Sequence, residues 1–419
     1  MLDETFVSWC QSHGSIINGI SCQPVDHGYR GIVATRDLAA NEVILQTPHR
    51  LLLSNTSHTH QFKDALLSFQ QQHQKPLTSF QTLACLLIYE SCQGPSSFWA
   101  PYLATIPPNY TTHEHLSPQD IAALQLPSAI TKLHSYRQKA IQIWKQARPF
   151  LLHFFKFINI QGKELIFKEK EEGWPTSWEA WAWASATLNS RTMHIAEDPT
   201  VGVLNPYGDM FNYSPPPPPI TSNFPFITHQ NSREEEDGTQ EDDDVPAIGG
   251  DGSMNEATGY YEIKTSKFYK KGDQVFLCYG RYTNIELLIH YGFVLPSNNN
   301  AHDTVMMPLE YFPPSVVEQL NHGGGANGEA ECYLHADGRP SWMLAKAVRQ
   351  GVLSGGERKR VGYRALGGEM VSENGEAEAV RVMREACRKM LLNTGNDGGG
   401  GLGRTAVEED EEMLSRGGL

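Results

Sequence analysis

Val203-Leu204-Asn205-Pro206-Tyr207-Gly208-Asp209-Met210-Phe211-Asn212-Tyr213-Ser214 fits neither of the repeats that regular structure imposes on a chain. Its apolar residues follow neither the two-residue alternation of a half-buried strand nor the three-to-four spacing of a helix face. Such a run is read as a special turn or a functional segment. Directly after it, 215–219 are five consecutive prolines, a stiff extended stretch. Residues 233–244 then carry eight carboxylates against one arginine. A segment this polar cannot repay its ordering entropy, so about 215–258 is expected to be a disordered, solvated surface insertion. Pattern resumes at Tyr260-Tyr261-Glu262-Ile263 and Gln274-Val275-Phe276-Leu277-Cys278-Tyr279-Gly280, two strands with Lys271-Gly272-Asp273 as the turn between. Asn284 is expected to cap a short helix over 285–291 that stops at Gly292.

On the N-terminal side, the spacing predicts a helix from Trp178 toward Arg191, opened by Thr176 and Glu179 as a capping box. Before it, about 60–175 is helical in pattern: Phe80, Leu83, Ala84, Leu87 and Ile88 share one face, and 136–157 is long and apolar on one side. The first fifty residues read as strands, with turns at Gly28-Tyr29-Arg30-Gly31 and 37–42 around Ile32-Val33-Ala34-Thr35, followed by Val43-Ile44-Leu45. Beyond about 310 the pattern weakens to two expected helices, 342–348 and 377–392, and the residues after Asn393 read as a disordered tail.

The chain has 419 residues and a formal net charge of −14, with 48 acidic against 34 basic side chains. That balance argues against broad binding to nucleic acid or an anionic membrane. The most apolar stretch, 141–160, is interrupted by Lys145, Arg148 and Lys156, so it is read as a buried helix and not a membrane span. The start carries Asp3 and Glu4 with no apolar run after them, so no signal peptide is expected. Seven cysteines without a C-x-x-C spacing suit reduced thiols, and a soluble monomer of the cytoplasm or nucleus is expected. Two tempting motifs are set aside. Leu353-Ser354-Gly355-Gly356-Glu357 looks like an ATPase signature loop but has no phosphate cradle to serve. His58-Thr59-His60 and His113-Glu114-His115 sit in polar stretches without further ligands at useful spacing, so they are read as surface histidines and no metal is expected.

One ordered set of motifs is specific. Gly28-Tyr29-Arg30-Gly31-Ile32-Val33-Ala34-Thr35-Arg36-Asp37-Leu38 resembles the opening signature of SET-domain methyltransferases, and Ser190-Arg191-Thr192 resembles their central arginine segment. Asp209-Met210-Phe211-Asn212-Tyr213-Ser214 resembles the Asp-x-x-Asn-His-Ser motif, with Tyr213 where the family has His. Gln274–Gly280 followed by Asn284-x-Glu286-Leu287-Leu288 and Tyr291-Gly292-Phe293 resembles the closing signature. Together they look like the Rubisco large-subunit methyltransferase subfamily, whose SET core is split by a helical insert. The resemblance implies an α+β fold of short twisted strands. It assigns about 15–310 to the SET domain, about 60–175 to its insert, 311–392 to a reduced substrate-binding-like helical region and 393–419 to the tail.

It also implies S-adenosylmethionine as cofactor and a lysine amine of a protein as acceptor, and the eight carboxylates of 233–244 could recruit a basic protein. Histidine is the alternative acceptor, since the subfamily includes both, and a non-catalytic SET-fold binding module is the alternative class. Arg191 suits the cofactor's carboxylate through a charge-assisted bond, Asn212 offers both donor and acceptor, and Gly31 and Val33 let the backbone approach a ligand. The resemblance adds Asp209, Met210, Phe211, Tyr213, Tyr291, Gly292 and Phe293 as cofactor neighbours and Tyr279 as the catalytic residue. A phenol is neutral at pH 7 and can orient reacting groups without adding charge, whereas a lysine amine must first lose a proton. A narrow apolar channel walled by Tyr279, Tyr291 and Tyr260 would favour that loss.

Overall fold

The computed structural model describes residues 4–25, 29–73, 76–124, 126–157, 173–216, 252–296, 300–323, 332–366 and 372–394. Gly28, residues 217–251 of the acidic insertion and the tail beyond 394 lie outside them. The chain divides into two units, one holding the described residues up to Pro118 together with 132–216 and 252–294, the other holding 119–131 and those from 295 onward. The division after Val294 falls earlier in the chain than the boundary expected near 310.

In the first unit, α1 (Glu4–Ser12) buries Phe6 and Cys10. The strands that follow are short: β1 (Ile16–Ile17), β2 (Ile20–Pro24), β3 (Arg30–Ala34) and β4 (Val43–Pro48). Next come the helices α2 (His60–His73), α3 (Ser79–Cys92) and α4 (Ala100–Leu103). The short α5 (Pro118–Ala122), all but its first residue in the second unit, precedes the long α6 (Pro127–Phe157), which joins the first unit from Lys132 onward. Helix α3 is buried from Gln81 to Cys92 on every side, polar Gln81, Thr82, Glu90 and Ser91 included, and it packs on α7 (Trp178–Arg191).

After α7 the chain runs through β5 (Thr192–Ile195), β6 (Asp198–Leu204) and β7 (Asn212–Tyr213). Then β8 (Gly252–Asn255), β9 (Tyr260–Lys264), β10 (Gln274–Leu277) and α8 (Asn284–Tyr291) complete the unit. Two four-stranded sheets result, ordered β1-β4-β9-β8 and β2-β3-β10-β7. Among the described strands, only β7 and β10 pair in parallel, Asn212 opposite Phe276 and Tyr213 opposite Leu277.

Helix starts differ from the sequence reading by one residue. Ser177, not Thr176, caps α7, its hydroxyl accepting from the Ala180 amide at 3.2 Å. Thr283, not Asn284, caps α8 in a capping box with Glu286, and Gly292 closes that helix at φ 77°. Neighbouring polar residues compete for the cap, and only backbone geometry decides between them.

The second unit has its own core. The antiparallel pair of β11 (Thr304–Met306) and β12 (Tyr333–His335) accompanies α9 (Pro314–Gly323), α10 (Trp342–Val352), α11 (Gly355–Leu366) and α12 (Glu373–Thr394). Val316, Leu320, Leu344, Val348 and Ala379 are buried together. Ser354 and Glu357 exchange side-chain and backbone hydrogen bonds at 3.3 and 3.1 Å, so the ATPase-like stretch is the capping box that opens α11.

Two expectations are corrected. His113 and Glu114 are not on the surface but 3% and 2% exposed, because α7 and α8 supply partners that the local sequence does not contain. Residues 252–255 are not solvated loop but strand, with Gly252 opposite Ile263 and Asn255 opposite Tyr260. Replacing 217–251 with a Gly/Ser linker of about ten residues should leave the melting temperature nearly unchanged, because a composition this polar supplies no core. Extending the deletion through Ala257 removes β8 and should lower it by several degrees. Differential scanning calorimetry of the two deletion variants separates these outcomes, and equal melting would mean that β8 contributes nothing.

Candidate active site

The aperiodic run quoted at the outset is a built turn. Tyr207 sits at φ 72°, a conformation that costs a bulky residue energy and persists only where the surroundings enforce it. Its ring is buried against Phe6, and its hydroxyl accepts from the Cys22 amide at 3.1 Å. A Cβ on Gly208 would lie 2.6 Å from Asn205 Nδ2, so any larger residue there must displace the buried Asn205 side chain. The turn leads through a single 3-10 turn (Gly208–Met210) into β7, and so brings Asp209 to the end of α7.

Arg191, the last residue of α7, donates from Nη1 to Asp209 Oδ2 at 3.1 Å and to the Asp209 carbonyl at 3.2 Å. Its Nε donates to the Tyr110 hydroxyl at 3.3 Å, and Tyr102 donates to Asp209 Oδ2 at 2.9 Å. The Asp209 side chain is fully buried. Burial works against the charge on Arg191, but Tyr110 and Asp209 outweigh it, and the guanidinium is held protonated above its ordinary value. Among the described residues, Arg191 Nη2 makes no hydrogen bond and Asp209 Oδ1 is a buried acceptor without a partner. A free donor of an arginine and a free acceptor of a carboxylate, side by side, suit the carboxylate and ammonium of a zwitterionic amino acid.

Tyr279 follows β10, and its hydroxyl donates to the Phe211 carbonyl. Tyr213, on β7, donates in return to the Gly280 carbonyl at 3.0 Å. The two reciprocal bonds lengthen a parallel pair only two residues long. Tyr279 stacks on Tyr291 with ring centres 5.2 Å apart and lies 5.2 Å from the Tyr213 ring. Burial pushes the Tyr279 and Tyr291 phenols well above their usual value, and raises Tyr213 to about 12, with Cys278 adding to the last. All three are therefore neutral at physiological pH. Stability from Tyr213 should be whole below the unfolded value near 10 and lost as pH rises from about 10 to 12. Absorbance at 295 nm should show tyrosines that ionise only above pH 11, and complete ionisation by pH 11 without unfolding would contradict this burial.

Arg191, Asp209, Tyr279 and Tyr291 open on one pocket of about 250 Å³. Tyr261 and Tyr282 also line it, and Tyr260 does not. Tyr260 pairs with Asn255 and Pro48, and strand alternation sends its neighbour Tyr261 inward instead. The remaining expected residues are not on the pocket wall. Gly31 faces Asn212, whose Nδ2 donates to the Arg30 carbonyl at 3.1 Å, and a Cβ on Gly31 would sit 2.8 Å from that nitrogen. Val33 is half-buried on β3, between Ser21 and Gln274. Met210 and Phe211 turn their side chains into the core, and only the Phe211 carbonyl reaches Tyr279. Phe293 lies 6.1 Å from both Tyr213 and Tyr291, and the Gly292 carbonyl accepts from Thr111 at 2.6 Å.

Sequence reading missed Tyr102, Tyr110, Tyr261 and Tyr282. Alternation along β9 was the available signal for Tyr261, whereas nothing local marks the first two. No group of three or more His, Cys, Asp or Glu among the described residues could hold a metal.

A short-stranded two-sheet core split by helices, with this pocket at the junction of its turn, helix end and tyrosines, defines a class. The chain belongs to the SET-domain family. It is 33% identical over 390 residues to Protein SET DOMAIN GROUP 40 of Arabidopsis thaliana, covering 93% of this chain and 72% of that protein. It is 25% identical over 384 residues to SET domain-containing protein 4 of Mus musculus, covering 87% and 75%. No protein-family model matches it. Among solved structures, the SET domain of LSMT bound to lysine and AdoHcy superposes over 99% of this chain and 84% of that one, with a TM-score of 0.57 at 18% identity.

Proposed function

We propose that the chain is an S-adenosylmethionine-dependent methyltransferase acting on a lysine side-chain amine of a protein. The observation that carries this reading is the meeting of Arg191, the unpartnered Asp209 oxygen and the neutral Tyr279 phenol at one pocket. The lysine and AdoHcy bound to the similar LSMT structure support it. When bound, S-adenosylmethionine supplies an electrophilic methyl group on a sulfonium. Arg191 holds its carboxylate, and Asp209 Oδ1 takes its ammonium. Asn212, held by the Arg30 carbonyl beside Gly31, serves the same end of the ligand. Val33, Tyr213, Gly292 and Phe293 are assigned as further cofactor neighbours on the family pattern. Met210 and Phe211 are assigned to packing.

Tyr279 donates its hydroxyl hydrogen bond to the Phe211 carbonyl, so its oxygen faces the reacting groups as an acceptor only. That oxygen orients the acceptor amine, and a wall of neutral tyrosines disfavours the ammonium form by excluding water. The displaced proton leaves to solvent before transfer. As partner we propose a protein substrate with basic character, drawn by the eight carboxylates of 233–244. None of the seven cysteines is in a disulfide, which supports a reducing compartment, cytoplasm or nucleus, and we take the working state as monomeric.

The test is transfer of a tritiated methyl group from S-adenosylmethionine to lysate proteins, followed by amino-acid analysis of the labelled band. Methyl-lysine is expected. Methyl-histidine would replace the acceptor, and no labelled protein despite cofactor binding would leave a non-catalytic binding module.

A further inference from the structure

Tyr110-Thr111-Thr112-His113-Glu114 runs as a strap between the ends of the two helices that carry Arg191 and Tyr291. Toward α7, Glu114 accepts from the Ser185 hydroxyl at 2.7 Å and from Asn189 Nδ2 at 3.3 Å, while Tyr110 meets Thr187 at 2.9 Å and Arg191 Nε at 3.3 Å. Toward α8, His113 Nδ1 lies 2.8 Å from the Ile289 carbonyl, and Thr111 donates to the Gly292 carbonyl at 2.6 Å. Thr112 donates to Glu114 at 2.7 Å, and His113 Nδ1 lies 3.2 Å from the same carboxylate. The strap fits closely, since a Cβ on Gly292 would come 2.5 Å from Thr111 Oγ1.

The last turn of a helix leaves its carbonyls unpaired and frays unless something outside the helix holds it. Arg191 and Tyr291 are both terminal residues of their helices. Each therefore sits where the backbone is least constrained by its own hydrogen bonds. Glu114 supplies the constraint. Ser185 and Asn189 are four residues apart on one face of α7, and its carboxylate grips both. Its side chain is fully buried, and a buried carboxylate is tolerated only where its donors stay in place.

We infer that Glu114 is a positioning residue: through the strap it holds the ends of α7 and α8, and so Arg191 and Tyr291, in one geometry. The role in cofactor binding rests on the function proposed above, whereas the clamping of the two helix ends does not. Glu114→Ala should therefore raise amide exchange at 187–193 and 289–293 together, without any ligand, and leave α3 protected. The same variant should bind S-adenosylhomocysteine about tenfold more weakly by calorimetry, the loss expected for one misplaced charged hydrogen bond. Glu114→Gln, which keeps the shape and one acceptor oxygen, should recover most of both.

Unchanged exchange in folded Glu114→Ala, loosening of only one helix end, or loosening of the whole core would overturn the inference. So would equal losses in the Ala and Gln variants. Where Glu114→Ala does not fold, Ser185→Ala removes a single arm and should raise exchange at 187–193 with a roughly threefold loss of affinity; no change in either measurement would also overturn it. Failure of the unaltered chain to bind S-adenosylhomocysteine would refute the proposed function, while the exchange measurement still decides whether the strap clamps.

Discussion

Tyr279→Phe should lower methyl-transfer turnover by about 10²–10⁴-fold, the range for a positioned group acting in the transition state. The ring contacts with Tyr213 and Tyr291 survive the change, and only the hydroxyl on the Phe211 carbonyl is lost. Stability should fall by about 1 kcal/mol, the usual worth of one hydrogen bond. Affinity for S-adenosylhomocysteine should hold within a few-fold, since Arg191 and Asp209 are untouched. Single-turnover assays and calorimetric titration measure the two quantities separately. A Phe variant with full turnover would move the orienting role to another group, with Tyr291 or Tyr282 next in line.

The second large effect is thermodynamic. Arg191→Ala leaves the Asp209 carboxylate fully buried, with Tyr102 as its remaining side-chain donor. Breaking a buried pair in this way costs about 3–5 kcal/mol, which at this domain size is roughly 6–20 °C of melting temperature. Cofactor affinity should fall as well, by roughly 10- to 150-fold for a charged hydrogen bond. Adding Asp209→Asn removes the stranded charge and should restore much of the stability but none of the affinity. That divergence, read by scanning calorimetry and ligand titration on the same samples, separates the two roles of Arg191. If Arg191→Ala melts with the unaltered chain, the pair is not a structural element.

Legibility in the sequence followed the range over which the information acts. Strands β3, β4, β9 and β10 announce themselves through short apolar runs between turn residues, and α7 through its cap and length. Arg191 stood out at a helix end, and Tyr279 within an ordered motif. Gly-Ser-Met-Asn of β8 has no strand pattern of its own and becomes a strand because β9 offers an edge. His113 and Glu114 look like surface residues because their partners, Ile289 and Ser185, lie some 70 to 176 residues away. Tyr102 and Tyr110 were invisible for the same reason: their partners Asp209 and Arg191 lie 107 and 81 residues further on. Met210 and Phe211 shared a motif with Asp209 and Asn212, and a motif does not say which of its side chains turn inward.

The pairing of β3 with β10 also has a consequence for synthesis. Val33 waits for Gln274, about 240 residues downstream, and Asn212 is in place before the Phe276 it must face. At roughly 5–20 residues per second on the ribosome, the β2–β3 hairpin leaves the exit tunnel on the order of 10–50 s before its partner strand exists. During that interval one edge of β3 has unmet backbone donors and acceptors, an open template for another chain. The pocket, whose lining runs from Asn189 to Tyr291, is therefore among the last parts of the nascent molecule to form. Chains stalled or truncated before about residue 280 should accumulate as chaperone clients with the helical insert folded and no site.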